Sequence, residues 1–194
     1  PGADNLPSVG DALRLISETV EFLTGRPAAG IGQRALRTVL FTDICDATAQ
    51  AARMGDDRWR DLLAAHDAAI DRALERYAGW RVKGTGDGVL ATFAGLPSDA
   101  IRCTAELVDE LEALGLDVRA GLHTGECELI GEDVGGMAVH IASRVCALAQ
   151  AGEILVSGTA YGTAVGSDLW FEPRGEHRLR GVRGAWPVFA LRRA

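Results

Sequence analysis

The sequence predicts a mixed α/β (α+β) domain, a ferredoxin-like βαββαβ core with a C-terminal β addition. Three observations predict it. Short β-rich runs such as Arg37–Asp43 alternate with long amphipathic stretches such as Asp57–Tyr77. Two further runs, Trp80–Lys83 and Val89–Phe93, flank the glycine-rich Gly84-Thr85-Gly86-Asp87-Gly88 and so read as a hairpin. The resulting order is strand, helix, hairpin, helix, strand, helix, strand, followed by a tail of short strands.

Each element has its own warrant. Leu13, Ile16, Val20 and Leu23 recur at helical spacing within Val9–Leu23, Gly25 ends that helix, and Pro27–Gly32 reads as a linker. Residues 1–36 are therefore expected to be an N-terminal helix and linker, and residues 37–194 a separate domain. The first strand, Arg37–Asp43, ends in a carboxylate and turns through small or polar residues into helix. Asp57–Tyr77 puts Trp59, Leu62, Leu63, Ile70, Leu74 and Tyr77 on one face, and Gly79 stops it. A second helix starts at Pro97-Ser98-Asp99, with Ser98 or Asp99 as its expected cap, and runs to about Leu114. Leu116–Leu122 is the next strand, with Cys127–Ile130 expected to pair with it. Gly136–Ala149 is a helix and Glu153–Ser157 a strand. In the tail, Glu176–Leu179 and Val188–Leu191 are expected strands.

Composition narrows the function. The chain has 194 residues, 47% hydrophobic and 24% charged, which suits one soluble domain with a full core plus a short extra segment. A net charge of −7 and the lack of a basic stripe argue against a nucleic-acid partner. A nucleotide remains compatible with that charge if metal ions bridge its phosphates. Cys45, Cys103, Cys127 and Cys146 show no CxxC spacing and read as reduced thiols, which points to a cytoplasmic protein. No apolar run reaches membrane-spanning length and no signal peptide is evident. The start at Pro1 rather than Met suggests a fragment of a longer protein.

Asp43 ends the first strand and Asp87 sits at the hairpin tip. In a βαββαβ sheet the first strand lies beside the hairpin, so the two carboxylates can meet at one edge, where divalent cations would let them coexist. The glycines around Asp87 allow a close approach to a bulky ligand, although a plain hairpin turn would need them too. Amides of the helix turn after Asp43 suit a phosphate.

Phe41-Thr42-Asp43-Ile44, Lys83-Gly84-Thr85-Gly86-Asp87-Gly88 and the run Asp133–Arg144 together resemble the class III nucleotidyl cyclase catalytic domain, from about Arg37 to the C-terminus. The resemblance implies a cyclase palm fold in which Asp43, Asp87 and the Ile44 carbonyl hold two Mg²⁺ or Mn²⁺ ions. It implies that amides around Cys45, Asp46 and Thr48 bind phosphate oxygens, that Lys83 and Asp133 read the base, and that Arg144 stabilises phosphate charge in the transition state. Many members carry Gly at the position of Asp46, so this side chain is expected to point away, cap the helix, or reach a metal indirectly. His140 stands where most members have Asn orienting the ribose. A His there, with a short connection before Asp133, resembles bacterial class IIIc; a buried structural His is the alternative reading. Lys donates to adenine N1 and Asp accepts from the exocyclic amine, whereas guanine presents the opposite pattern. The resemblance therefore implies an adenylyl cyclase acting on ATP in a homodimer. Each shared site would take Asp43 and Asp87 from one subunit and Lys83, Asp133, His140 and Arg144 from the other. A guanylyl cyclase and a catalytically weak nucleotide-binding regulatory module are the alternatives. A diguanylate-type palm is set aside for want of its hairpin motif. His66 and His123 read as surface residues, and Arg180 and Arg183 as part of a solvated turn. Phe22-Leu23-Thr24-Gly25 resembles the tail of the α/β-hydrolase domain fused ahead of some bacterial cyclases.

Overall fold

The computed structural model describes residues 34–193 together with Thr19. The expected Val9–Leu23 helix, Thr19 apart, and the Pro27–Gly32 linker lie outside the described residues. The described elements are β1 (Arg34–Ile44), α1 (Ala47–Met54), α2 (Asp56–Arg76), β2 (Gly79–Gly84), β3 (Val89–Phe93), α3 (Pro97–Ala113), β4 (Val118–Ile130) and β5 (Asp133–Gly135). After these come α4 (Met137–Cys146), β6 (Ile154–Ser157), α5 (Gly158–Ala164), β7 (Phe171–His177) and β8 (Trp186–Leu191).

One sheet of eight strands runs β2-β3-β1-β4-β6-β8-β7, with β5 paired to β4 outside that path. The first four strands lie in the order expected of a ferredoxin-like core, and the tail adds strands beyond β6. Strand alternation sends Leu40, Ile44, Val118, Ala120 and Leu122 into the main core under α2, α3 and α5. The opposite face sends Val39, Leu90 and Cys127 against Ala138 and Ala142 of α4. A third cluster joins Ile141 and Val145 of α4 to Leu155, Val188 and Ala190 of β6 and β8.

Several expectations are corrected. Cys127–Ile130 does not fold back on the preceding strand; it continues it, because the eleven residues of β1 pair with Val118–Glu128 of β4, from Ile44↔Val118 to Arg34↔Glu128. β5 is what pairs with that far end, Ile130 facing Asp133. For the same reason β1 begins at Arg34, three residues before its expected start. Neither Ser98 nor Asp99 caps α3. Leu96 is its N-cap, Pro97 takes the first turn, and Asp99 instead pairs with Arg102 at 3.0 Å. The short helix α5, capped by the Ser157 hydroxyl, was not foreseen: seven residues rich in Gly, Ala and Thr carry too little periodicity to read. In the tail, β7 is Phe171–His177, shifted toward the N-terminus, and Leu179 is buried instead against the α4 cluster.

Candidate active site

The end of β1 and the tip of the β2–β3 hairpin meet. The Ile44 amide donates to the Asp87 carbonyl at 2.8 Å, and the Val89 amide donates to the Thr42 hydroxyl at 3.1 Å. Gly88 makes the approach possible, because a Cβ there would lie 1.9 Å from the Thr42 carbonyl oxygen. Asp43 and Asp87 consequently line one cavity of about 250 Å³, together with Thr85, Arg119, Ser143 and Cys146. Gly121 lets α4 close the other side; a Cβ on it would lie 2.1 Å from the Cys146 amide nitrogen. Ile44 has its side chain buried in the main core, which leaves only its backbone to act in the site.

Beyond the hairpin tip, a wider cleft of about 470 Å³ is lined by Ala47, Thr48, Trp59, Gly86 and again Asp87. The first turn of α1 borders it. Asp46 is the N-cap and makes no side-chain cap hydrogen bond, so the first-turn amides have no partner within the helix. Asp46 has φ 52°, a left-handed conformation that Gly adopts without strain and Asp tolerates. Of the three readings for this residue, capping is therefore removed. The Cys45 amide is already donated to the Asp117 carbonyl at 2.7 Å, so the free amides of this turn begin beyond it.

Lys83 and Asp133 come together elsewhere, at the outer end of the sheet. The Lys83 ammonium lies 2.9 and 2.7 Å from the two Asp133 carboxylate oxygens, one of which also accepts from the Val134 amide at 2.8 Å. Lys83 first, then the Val134 amide, holds the Asp133 carboxyl below the usual carboxylate range. Both side chains are about half exposed.

Residues 34–193 match the family described as the adenylate and guanylate cyclase catalytic domain. The chain belongs to this family. Over 189 residues, 93% of this chain, it is 30% identical to a pH-sensitive adenylate cyclase of Mycobacterium tuberculosis and covers 47% of that protein. An uncharacterized protein from the same organism is 33% identical over 119 residues, 60% of this chain and 31% of the relative. The chain thus spans about a third to a half of the length of these curated relatives. The adenylyl cyclase CyaB from P. aeruginosa has the same fold, with a TM-score of 0.76, 22% identity, and coverage of 84% of this chain and 96% of that one. The guanylate cyclase domain of RhGC from Catenaria anguillulae, in complex with GTP, has a TM-score of 0.73 at 19% identity, covering 82% and 96%.

In this cyclase domain the remaining expected site residues lie on α4. His140 is exposed, which removes the buried structural alternative. Arg144 is partly exposed and its Nε lies 3.4 Å from the Arg180 carbonyl, which ties it to the turn before β8. Lys83, Asp133, His140 and Arg144 are all outside the lining of the Asp43 cavity. Within one chain the two carboxylates and the Lys83–Asp133 pair therefore do not share a cavity.

Sequence reasoning missed Arg119. It sits opposite Asp43 in the β1–β4 register, and its Nε donates to the Asp43 carboxylate at 2.8 Å, with Nη2 donating to the same oxygen. The available signal was a cation flanked by the apolar Val118 and Ala120 in an expected strand. Both expectations for the minor histidines are also corrected. His66 and His123 are 2% and 3% exposed, because α2 and β4 turn them inward. His123 Nδ1 bonds to the Ser157 hydroxyl at 2.8 Å, and burial pulls its pKa down to about 4. All four cysteines are free, and burial pushes the Cys103 and Cys146 thiols up to about 12. Among the described residues no helix is long and apolar enough to cross a membrane.

The donor set at the cavity fits a magnesium-type ion. Such an ion is held through one or two carboxylates plus substrate phosphates, rather than by an all-protein cage. Asp43 and Asp87 supply two hard oxygens. Among the described residues no group of three His, Cys, Asp or Glu converges.

Proposed function

We propose that this cyclase domain is an adenylyl cyclase that converts ATP to 3′,5′-cyclic AMP and pyrophosphate at two sites shared across a homodimer. The observation that carries the reading is the Lys83–Asp133 pair, with ammonium and carboxylate 2.7 Å apart and half exposed. A donor beside an acceptor matches the adenine N1 and exocyclic amine, and opposes the corresponding guanine edge. Neither member of the pair lines the Asp43 cavity of its own chain, which supports completion of the site by a second copy. Trp80 and Ile130, 57% and 61% exposed, add apolar surface near the pair for that copy to cover.

In this reading Asp43 and Asp87, with the Ile44 carbonyl, would hold two Mg²⁺ or Mn²⁺ ions. The chemistry those ions supply is a lowered pKa for the ribose 3′-hydroxyl and charge neutralisation on the triphosphate. The chain's own residues orient the reactants. The 3′-oxygen forms a bond to the α-phosphorus as the bond to the bridging oxygen of the β-phosphate breaks, and pyrophosphate leaves in line. Arg144 supplies positive charge to the α-phosphate as negative charge builds there. First-turn amides of α1, those of Ala47 and Thr48, which the Asp46 side chain leaves uncapped, bind phosphate oxygens at the cleft beside Asp87. The Cys45 amide helps by fixing the turn to Asp117 rather than by donating to substrate. Arg119, released from Asp43, is a further cation inside the cavity that can meet the triphosphate. His140, one helical turn before Arg144, orients the ribose through a ring nitrogen.

The test is to incubate the purified chain with ATP and Mn²⁺, and separately with GTP and Mn²⁺, and quantify both cyclic products. Cyclic AMP in at least tenfold excess is the expected result, about 1.4 kcal/mol of discrimination. Cyclic GMP in excess would replace the adenylyl reading with a guanylyl one. Bound nucleotide without either product would favour a regulatory module.

A further inference from the structure

The base-reading reading leaves open how Lys83 comes to face Asp133 at all. In a regular strand residues two apart share a face, so Arg81 and Lys83 would point the same way. They do not. Arg81 pairs across the ladder with Ala91, which belongs to the core under α2 and α3. Lys83 pairs with Leu90, which belongs to the opposite cluster with Val39, Cys127 and Ala138. Directly opposed residues in an antiparallel ladder share a face, so the two side chains leave the sheet on opposite sides. The register shifts between them, with Val82 as the extra residue, and Val82 packs against the α4-side cluster. The bulge is what re-aims Lys83.

A bulge near the edge of a sheet needs something to hold it. Among the described residues β2 is the terminal strand, paired only with β3. The Lys83–Asp133 pair is half exposed on both sides, and such pairs hold a strand only weakly. Arg81 is different. Its side chain is 28% exposed and its guanidinium bridges two carboxylates one helical turn apart on α2, Nη2 to Asp67 and Nη1 to Asp71, both at 2.9 Å. The fork fits two acceptors at once, which a lysine could not match. Asp67 also accepts from the buried His66 ring at 3.2 Å, so the anchor reaches into the core. At the start of β2, Gly79 packs against Leu74 of α2 and Phe93, where a Cβ would lie 2.7 Å or less from either side chain.

We propose that Arg81 is a positioning residue for base selection: by clamping β2 to Asp67 and Asp71 of α2 it holds the bulge at Val82 that turns Lys83 away from the helices and onto Asp133. The inference rests on the reading of Lys83 and Asp133 as the adenine-recognising pair. Arg81 touches no substrate. Its effect passes through the strand to a side chain two residues on.

The experiment is steady-state cyclase kinetics with ATP and with GTP, under one metal condition, for wild type, Arg81→Ala, Arg81→Lys, Asp71→Asn and Lys83→Ala. Arg81→Ala is expected to raise the ATP KM about tenfold and to cut the ATP-over-GTP ratio of kcat/KM about tenfold, with kcat for ATP within about threefold of wild type. Arg81→Lys keeps the charge but reaches one carboxylate, so it recovers part of the ratio. Asp71→Asn weakens one arm and should give a smaller change in the same direction, which keeps the question answerable if Arg81→Ala does not fold. A merely structural clamp would lower thermal stability and the amount of active enzyme without moving the ratio. If Lys83→Ala collapses the ratio while Arg81→Ala and Asp71→Asn both leave it at the wild-type value, the positioning role is overturned and the base-reading pair stands. If Lys83→Ala itself leaves the ratio unchanged, the base is read elsewhere and the proposal falls with that reading.

Discussion

The Asp43 cavity and the Lys83–Asp133 pair lie on one sheet but are built in opposite ways. The cavity is made of backbone. Two central strands lock register over eleven residue pairs, and Gly88 and Gly121 let the hairpin and α4 come within a side chain's reach of them. Its charged members are mostly buried, Asp43 at 28% and Arg119 at 33% side-chain exposure. The proposed base-reading pair is made of side chains on a bulged terminal strand and a three-residue strand, each half in water. Chemistry that must position ions against phosphorus gains from the rigid half. Selection between two bases is a difference of a few hydrogen bonds, and side chains on an adjustable edge can supply it.

Breaking the rigid half should have the largest effect. Asp43→Ala removes a proposed metal ligand and leaves the Arg119 charge without its partner. Turnover is expected to fall about a thousandfold or more, as several kcal/mol of transition-state stabilisation vanish. Thermal stability should fall too, since a partly buried guanidinium loses its carboxylate. A rate near wild type in a mass-spectrometric assay of cyclic product would remove Asp43 from the metal site.

The contrast also explains what could be read before any coordinates. The cavity was legible from Asp43 and Asp87 because strand alternation and a glycine hairpin fix where backbone goes, and a βαββαβ order puts β1 beside the hairpin. Arg119 was not legible, since its meeting with Asp43 depends on a cross-strand register that no local pattern encodes. The same long register hid the continuity of β4, which was expected to end at Leu122 and which β1 pairs with as far as Glu128. Lys83 and Asp133 were paired through family resemblance; fifty residues apart, nothing in their spacing would join them. The Val82 bulge could not be read at all, because the extra residue shows only in the cross-strand register with β3. His66 and His123 were misplaced for a related reason: a polar residue at an inward position looks like a surface residue until the partners that satisfy it are known.

A subtler break asks whether the two halves belong to different copies. Asp43→Ala and Arg144→Ala subunits should each be nearly inactive alone. Mixed in equal amounts, random pairing makes half the dimers heterodimers, each with one intact site. The mixture should then recover about a quarter of wild-type activity. A titration of one variant against the other, followed by the rate of cyclic product formation, gives the shape of the recovery. No recovery at any ratio, with dimers present by sedimentation, would place both half-sites' contributions within one chain.

The smallest expected effect is on stability, and it comes from the core between the halves rather than from either. His123 and His66 are held neutral by burial, His66 against partial opposition from Asp67, with Arg81 and Asp87 the other charges near it. A histidine whose folded pKa lies below its unfolded value favours folding only while it is uncharged. Its contribution is complete above the unfolded pKa, near 6.5, and is lost as pH falls from there toward the folded value, about 4 for His123. Between pH 7.5 and 5.5 the His123 part alone should cost about 1 kcal/mol, a fall in Tm of a few degrees for a domain this size. His123→Asn should flatten that slope, and an NMR titration of the wild-type His123 ring should show no protonation down to pH 5. A ring that titrates at 6.5, or a slope unchanged in the variant, would show that the imidazole meets water and that the Ser157 and Thr159 hydroxyls do not enclose it as their 2.8 and 3.1 Å contacts require.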